Sequence, residues 1–171
     1  MGQLVINISP KKHYPQNKDI RQLLTYVAGH SKQKNLKAAY SNGYGVSADY
    51  KKAYQQIIKV QKYYKKDSKR RMYHMVISFP SQYKCDLPCT IKIAKVIAKN
   101  IFKDYQIFYG IHTDTNNLHI HFAINAVNYR TGKKFHTSKA DLAQMRADIL
   151  NLVNKIHRKY SRPYQHEDLT L

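Results

Sequence analysis

The 171-residue chain has no tryptophan, two cysteines, six glycines and only 10 acidic residues. Two cysteines, Cys85 and Cys89 in CDLPC, cannot build a disulfide framework, and no second pair completes a zinc site. They read as a reduced cytosolic pair. No run approaches the roughly 20 apolar residues of a membrane span. The apolar stretch in MGQLVINISPKK is too short for a signal peptide. A cytoplasmic protein without membrane insertion is expected. The acidic residues face 30 Lys and Arg, a formal charge of +20. Such self-repulsion excludes little by itself, but a polyanionic partner is its natural compensation. Fifteen tyrosines accompany the charge. Basic groups for phosphates and rings for bases suit a nucleic-acid strand.

With 43% hydrophobic residues and no internal repeat, residues 1–171 read as a single domain. Leu4–Ile8 predicts a strand, stopped by Pro10. Asp19–Ala28 predicts a short helix, and the polar segment 29–45 a loop. Ser47 is placed to cap a helix carrying Tyr50, Ala53, Tyr54, Ile57 and Ile58 at i, i+3, i+4, i+7, i+8 spacing. Tyr73–Phe79 alternates like a strand. A helix over Thr90–Phe102, strands over Gln106–His112 and Leu118–Val127, and a helix opening at Ser138 with Asp141 as its capping-box partner follow. The expected class is α+β, a central antiparallel β-sheet flanked by helices, with the helices on one face.

Three of the nine histidines fall in GIHTDTNNLHIHFAIN. Strand side chains alternate, so Leu118, Ile120, Phe122 and Ile124 share a core face while His119 and His121 share the other. Pairing His112 with His119 sets Gly110 opposite His121 and leaves room above an ion. Three neutral imidazoles from adjoining strands would leave a divalent cation with open positions, the arrangement of a catalytic rather than a structural site. Imidazole suits Zn, Ni, Fe, Co or Mn better than Mg, with Mn or Mg able to support activity from solution. In YHMVISF the same alternation puts His74 and Ser78 on the histidine face, His74 as a catalytic or supporting group and Ser78 toward a DNA backbone. Asp114 is placed either to orient a histidine through its other ring nitrogen or to shape the turn.

HTDTNNLHIHFAINAVN followed by TGKKF resembles the metal motif of HUH endonucleases. More narrowly, it resembles the relaxase/mobilisation nucleases of plasmids and integrative conjugative elements, a MobP-like N-terminal catalytic domain. IRQLLTYVAGHSKQKN resembles that family's N-terminal motif, a helix bearing a tyrosine before a basic loop. YHMVISFP resembles its middle motif, so the likeness runs from about Asp19 to about Tyr160. The resemblance implies an antiparallel sheet with the metal histidines on its exposed face. It also implies nicking of one strand at an origin of transfer, recognised as a hairpin plus single strand. Tyrosine attack leaves a 5′-phosphotyrosyl adduct, and the free 3′-hydroxyl can later reseal the strand. Accessory relaxosome proteins and a coupling protein are implied as partners. The nucleophile implied is Tyr26. After it this chain has AGHSKQ where many members carry an Asn-Pro-Glu-Lys-like run, and His30 within it is the alternative nucleophile. The chain is either the N-terminal catalytic part of a longer relaxase or a small complete enzyme.

A rolling-circle initiator or single-strand transposase is the rival within the HUH class. Such enzymes place the tyrosine after the histidine pair, where Tyr160 stands in HRKYSRPY. A water-activating hydrolase would leave no adduct. A non-catalytic nucleic-acid-binding module with a structural metal would not cut at all. By clustering, the expected DNA contacts are Lys32, Lys34, Lys37, Lys65, Lys66, Arg70, Arg71, Lys133 and Lys134.

Overall fold

A computed structural model describes residues 4–8, 13–31, 38–113, 117–135 and 138–160. In chain order these form β1 (Val5–Ile8), α1 (Asn17–Val27), β2 (Ala38–Tyr44), α2 (Tyr50–Tyr63), β3 (Met72–Phe79), α3 (Leu87–Ile101), β4 (Tyr105–His112), β5 (Leu118–Asn128) and α4 (Lys139–Tyr160). The sheet runs β1-β3-β5-β4-β2, every neighbouring pair antiparallel. The histidine-bearing hairpin β4–β5 therefore lies in the middle, with β3 against its other side.

One face of the sheet presents Met75, Ile77, Ile107, Ile111, Ile120, Phe122 and Ile124 to α3 and α4. On α3 the packing stripe is Ile93, Ala94, Ile97 and Ala98; on α4 it is Met145, Ile149, Val153 and Ile156. The expectation of helices on one face is incomplete. Met72, Phe108 and Ala123 point the other way and bury against α1 and α2, through Ile20, Leu23, Leu24, Val27, Ala53, Ile57 and Ile58. Apolar residues at one end of the histidine-side face let a second helical layer cover that end. The histidines occupy the other end, beside the terminus of α1.

Segment 29–45 is not all loop. Ala38–Tyr44 is an edge strand on β4, with a register shift between Ala38 and Tyr40. Its residues AAYSNGY lack apolar alternation because most of them are half-buried rather than alternately in and out. Two helix starts also differ from expectation. Asp49, not Ser47, caps α2, accepting from the Lys51 N–H at 2.8 Å. Ser47 Oγ instead accepts from the Asp49 N–H at 3.1 Å. Asp86 caps α3 through the Cys89 N–H at 2.9 Å. That cap moves the start to Leu87, with Pro88 in the first turn where its missing N–H costs nothing. On α4 the Ser138–Asp141 capping box forms, with Ser138 N–H to Asp141 Oδ2 at 2.9 Å and Asp141 N–H to Ser138 Oγ at 3.1 Å.

A buried polar strip crosses under α2. Gln61 Nε2 donates to Asn125 Oδ1 at 2.9 Å and to the Arg71 carbonyl at 3.0 Å. Arg71 Nε donates back to Gln61 Oε1 at 2.9 Å. Asn125 Nδ2 donates to Gln106 Oε1 at 3.0 Å. All four side chains are buried, so each bond satisfies groups with no route to water.

Candidate active site

The two-residue period of β4 and β5 places the histidines. His112 faces His119 across the ladder, and Gly110 faces His121. On β3, Ser78 faces His119, Val76 faces His121 and His74 faces Ala123. His121 is the hub. Its ring centroid lies 4.3 Å from His112, 5.3 Å from His74 and 6.1 Å from His119. His74 Nε2 and His121 Nδ1 are 3.0 Å apart and share a hydrogen bond. Burial first, then the neighbouring His112, His74 and His119, push the His121 pKa down to about 2. The hub is therefore neutral at physiological pH.

Tyr26 comes to this cluster because α1 stops immediately after it. The Gly29 N–H bonds the Tyr26 carbonyl at 2.9 Å and the His30 N–H bonds the Thr25 carbonyl at 3.0 Å. With Gly29 at φ +75°, this is a Schellman termination. The Val27 carbonyl, released by the helix end, accepts from His112 Nε2 at 3.0 Å. A carbonyl can only accept, so Nε2 carries the proton and Nδ1 the lone pair. Gly110 permits the approach. A Cβ there would lie 1.9 Å from the Val27 carbonyl oxygen. The glycine makes room for the end of α1 rather than for an ion, which corrects the expectation from the hairpin alone. The Tyr26 ring then stands edge-on to His121, His112 and His74, at centroid distances of 5.2, 5.3 and 6.0 Å. It is half-buried and lines a cavity of about 660 Å³ together with His74.

At ligand distances of about 2.0–2.1 Å, two imidazoles on one ion have ring centroids roughly 5 Å apart. The observed 4.3 and 6.1 Å bracket that separation. The lone pair on His112 Nδ1 and the neutrality of His121 supply the right chemistry. Among the described residues, however, no three His, Cys, Asp or Glu side chains are already converged as a metal nest. His119 stands at the rim, and the hydrogen bond to His74 engages one nitrogen of His121. The residues fit the ion in kind, and His112, His119 and His121 are the ones that would hold it.

Of the other residues singled out in the sequence, Ser78 lies half-buried on the histidine face beside His119. His30 stacks on Tyr50 at 5.2 Å instead of joining the cluster. Tyr160 ends α4, which covers the opposite face of the sheet from Tyr26 and the histidines. Lys65, Lys66 and Lys133 are exposed, and Arg70 is half-buried over the Tyr73 ring at 4.7 Å. Lys134 is half-buried and donates to the carbonyls of Ser68 and Arg70, tying the α2–β3 loop to β5. Arg71 is not a surface contact. It is 3% exposed, because its guanidinium turns inward to Gln61 and to the Pro15 carbonyl. Lys32, Lys34, Lys37 and Asp114 lie outside the described residues. The sequence reading missed the cavity wall at residues 13–15 and the Gln61–Asn125–Gln106 strip. Asn125, polar amid the apolar run FAINAV, was the available signal.

Solved relaxase domains share this fold of a five-stranded antiparallel sheet with helices on both faces. The MobM relaxase domain, solved bound to plasmid pMV158 oriT DNA with Mn, superposes with a TM-score of 0.60 at 13% identity, covering 98% of this chain and 92% of that one. A chain from a study of the molecular basis of vancomycin resistance transfer in Staphylococcus aureus gives 0.67 at 13% identity, over 96% and 97%. The conjugative relaxase TrwC, in a metal-bound complex with oriT DNA, gives 0.56 at 13% identity, over 97% and 73%.

Sequence carries the assignment further. Residues 14–161 match the family model of the relaxase, MobA/VirD2-like, nuclease domain, and the chain belongs to that family. Protein rlx of Staphylococcus aureus is 30% identical over 103 residues, covering 60% of this chain and 31% of that protein. Protein MobA of Acidithiobacillus ferrooxidans is 58% identical over 31 residues, covering 18% and 8%. The chain spans less than a third of the length of these curated relatives.

Proposed function

We propose that residues 1–171 form the nicking domain of a DNA relaxase, acting on a single or hairpin strand at the origin of transfer of a plasmid or integrative element. The observation that carries this reading is the Tyr26 ring set edge-on to three histidines at 5.2–6.0 Å, with one side open to the cavity. Tyr26 Oη attacks the scissile phosphorus and the P–O3′ bond breaks. The phenolic proton ends on the departing 3′ oxygen, and the 5′ phosphate stays esterified to Tyr26. The ester preserves the energy of the broken bond, so the 3′-hydroxyl reverses the step without ATP. A phenol, with an ordinary pKa of about 10, needs help to lose its proton. With His112 and His121 given to the ion, His74, its ring 6.0 Å from that of Tyr26, is the remaining imidazole beside the phenol and takes the role of base. His112, His119 and His121 would hold one divalent ion, with Mn or Mg supporting activity. Such an ion supplies positive charge where negative charge builds on the phosphoryl oxygens. Accessory relaxosome proteins and a coupling protein complete the reading. Among the described residues no helix is long and apolar enough to cross a membrane.

The test is incubation with single-stranded DNA from the source element and Mn, followed by mass spectrometry of the modified peptide. A nucleotide mass on the Tyr26 peptide, lost in Tyr26→Phe and on chelation, is the expected result. An adduct on Tyr160 or His30 would move the nucleophile. Cutting without an adduct would make the protein a hydrolase. Binding with no cut under any metal would make it a non-catalytic module.

A further inference from the structure

The nicking step uses one wall of the cavity beside Tyr26. The other walls carry their own chemistry. The cavity measures about 660 Å³ and is lined by His13, Tyr14, Pro15, Asp19, Gln22 and Leu23 as well as Tyr26 and His74. Its size falls in the roughly 300–1,000 Å³ range of sites that enclose a small molecule, ample for one nucleotide. Among the described residues, no Lys or Arg lines it, although the chain carries 30 of them. Asp19 brings a carboxylate instead. One oxygen of that carboxylate accepts from the Gln16 N–H at 2.9 Å, and the other remains to accept from an occupant, which favours the neutral part of a nucleotide over its phosphate. Leu23 is buried and apolar, Tyr14 offers an aromatic face, and Asp19 and Gln22 offer hydrogen-bonding groups. Those are the requirements of a stacked base with a polar edge.

The wall that carries Tyr14 is held at some cost. Tyr14 has φ +50°, a left-handed conformation unfavourable for an aromatic residue. Both carbonyls flanking it are bonded to Arg71. The Arg71 main-chain N–H donates to the His13 carbonyl at 3.0 Å, and Nη1 donates to the Pro15 carbonyl at 3.3 Å. Arg71 is in turn anchored on Gln61. A buried arginine thus pins the two peptide groups around a strained residue. What the strain achieves is a tyrosine ring facing the nucleophile's cavity. Tyr14, Asp19 and Tyr26 line the same cavity, and burial, then Asp19 and Tyr26, push the Tyr14 phenol pKa up.

We propose that this cavity receives the base of a nucleotide adjoining the scissile phosphate, stacked on Tyr14, with its edge read by Asp19 and Gln22. Both readers favour an exocyclic amine, since carboxylates accept from cytosine N4 and glutamine pairs with adenine. Adenine or cytosine is therefore held better than thymine. This inference rests on the nicking reading for where the strand lies, and its test separates the two.

Single-stranded oligonucleotides spanning the element's origin of transfer would each carry one abasic site, at successive positions. Their affinity for the Tyr26→Phe protein is read by fluorescence anisotropy. One position should show a penalty of about 10-fold, within the range that a single base–aromatic stack contributes. Thymine there should bind more weakly than adenine or cytosine. Gln22→Ala and Tyr14→Gly should weaken the intact strand and erase that one penalty while leaving the rest of the scan unchanged. Glycine suits the left-handed backbone at position 14, which offsets part of the packing lost with the half-buried ring, and the scan is read at a temperature where the variant is fully folded. An unaltered penalty in both variants, or a scan without any such position, overturns the base site. The native oligonucleotide with the wild-type protein and Mn reports separately on nicking. An adduct with a flat scan sinks the base site alone, and a peaked scan erased by the variants but with no adduct sinks nicking alone.

Discussion

At the residue scale, the site depends on close approach more than on the imidazoles alone. Gly110 is the clearest case. Any side chain there collides with the Val27 carbonyl, the atom that fixes the His112 ring. Gly110→Ala must push the end of α1 away from β4. The expected result is a loss of about 1–3 kcal/mol by urea denaturation, in the range of overpacking. It should also produce a larger fall in adduct yield than that instability explains, because Tyr26 moves with Val27. If adduct formation at a temperature where the variant is fully folded matches wild type, Gly110 serves stability alone. The glycine itself was conspicuous in YGIH, but its neighbour in space was not. A hairpin register names the residue across the ladder, not the helix end resting on top.

At the element scale, α2 does two jobs. Its apolar stripe seals the end of the sheet at Met72, Phe108 and Ala123. Its buried Gln61 joins α2 to β5 through Asn125 and to Arg71 beside β3. Replacing Gln61 by Leu keeps the volume and strands the Arg71 Nε and the Asn125 carbonyl oxygen without that partner. Leaving a buried charged donor unsatisfied costs about 3 kcal/mol or more. Gln61→Leu should therefore lower the urea midpoint well beyond what an exposed α2 substitution such as Lys59→Ala does. An equal effect of the two would show that water reaches the strip. The stripe of α2 was legible as periodicity. Gln61 was not, because a glutamine in a basic helix looks like surface until the helix is docked.

At the scale of the whole molecule, the excess of 20 positive charges governs association. Lys65, Lys66 and Lys133 stand exposed on neighbouring loops, while Lys134 and Arg71 are turned to structural use. If about 6–10 phosphates are neutralised, raising salt from 50 to 200 mM should weaken DNA binding by about 10³–10⁵. Lys65→Ala with Lys66→Ala should flatten the slope of log affinity against log salt by up to about two. Arg71→Gln should leave that slope unchanged at temperatures where the variant is folded, since its charge does not face solvent. A slope independent of Lys65 and Lys66 would place the strand on another surface.

Alternation along a strand is a local property of the chain, and it determined that His119 shares a face with His121 and His74 with Ser78; that His112 joins the first pair and that β3 brings the second beside them depended on strand pairing. The same locality accounts for most helix and strand positions, and for the failure at β2, whose half-buried edge residues have no reason to alternate. Only the tertiary structure decided that α1 and α2 cover the histidine side, that Tyr26 stands over the imidazoles, and that Arg71 braces a cavity wall 56 residues away. Those contacts join segments whose meeting depends on which apolar faces bury each other, and periodicity within one segment carries no record of its partner.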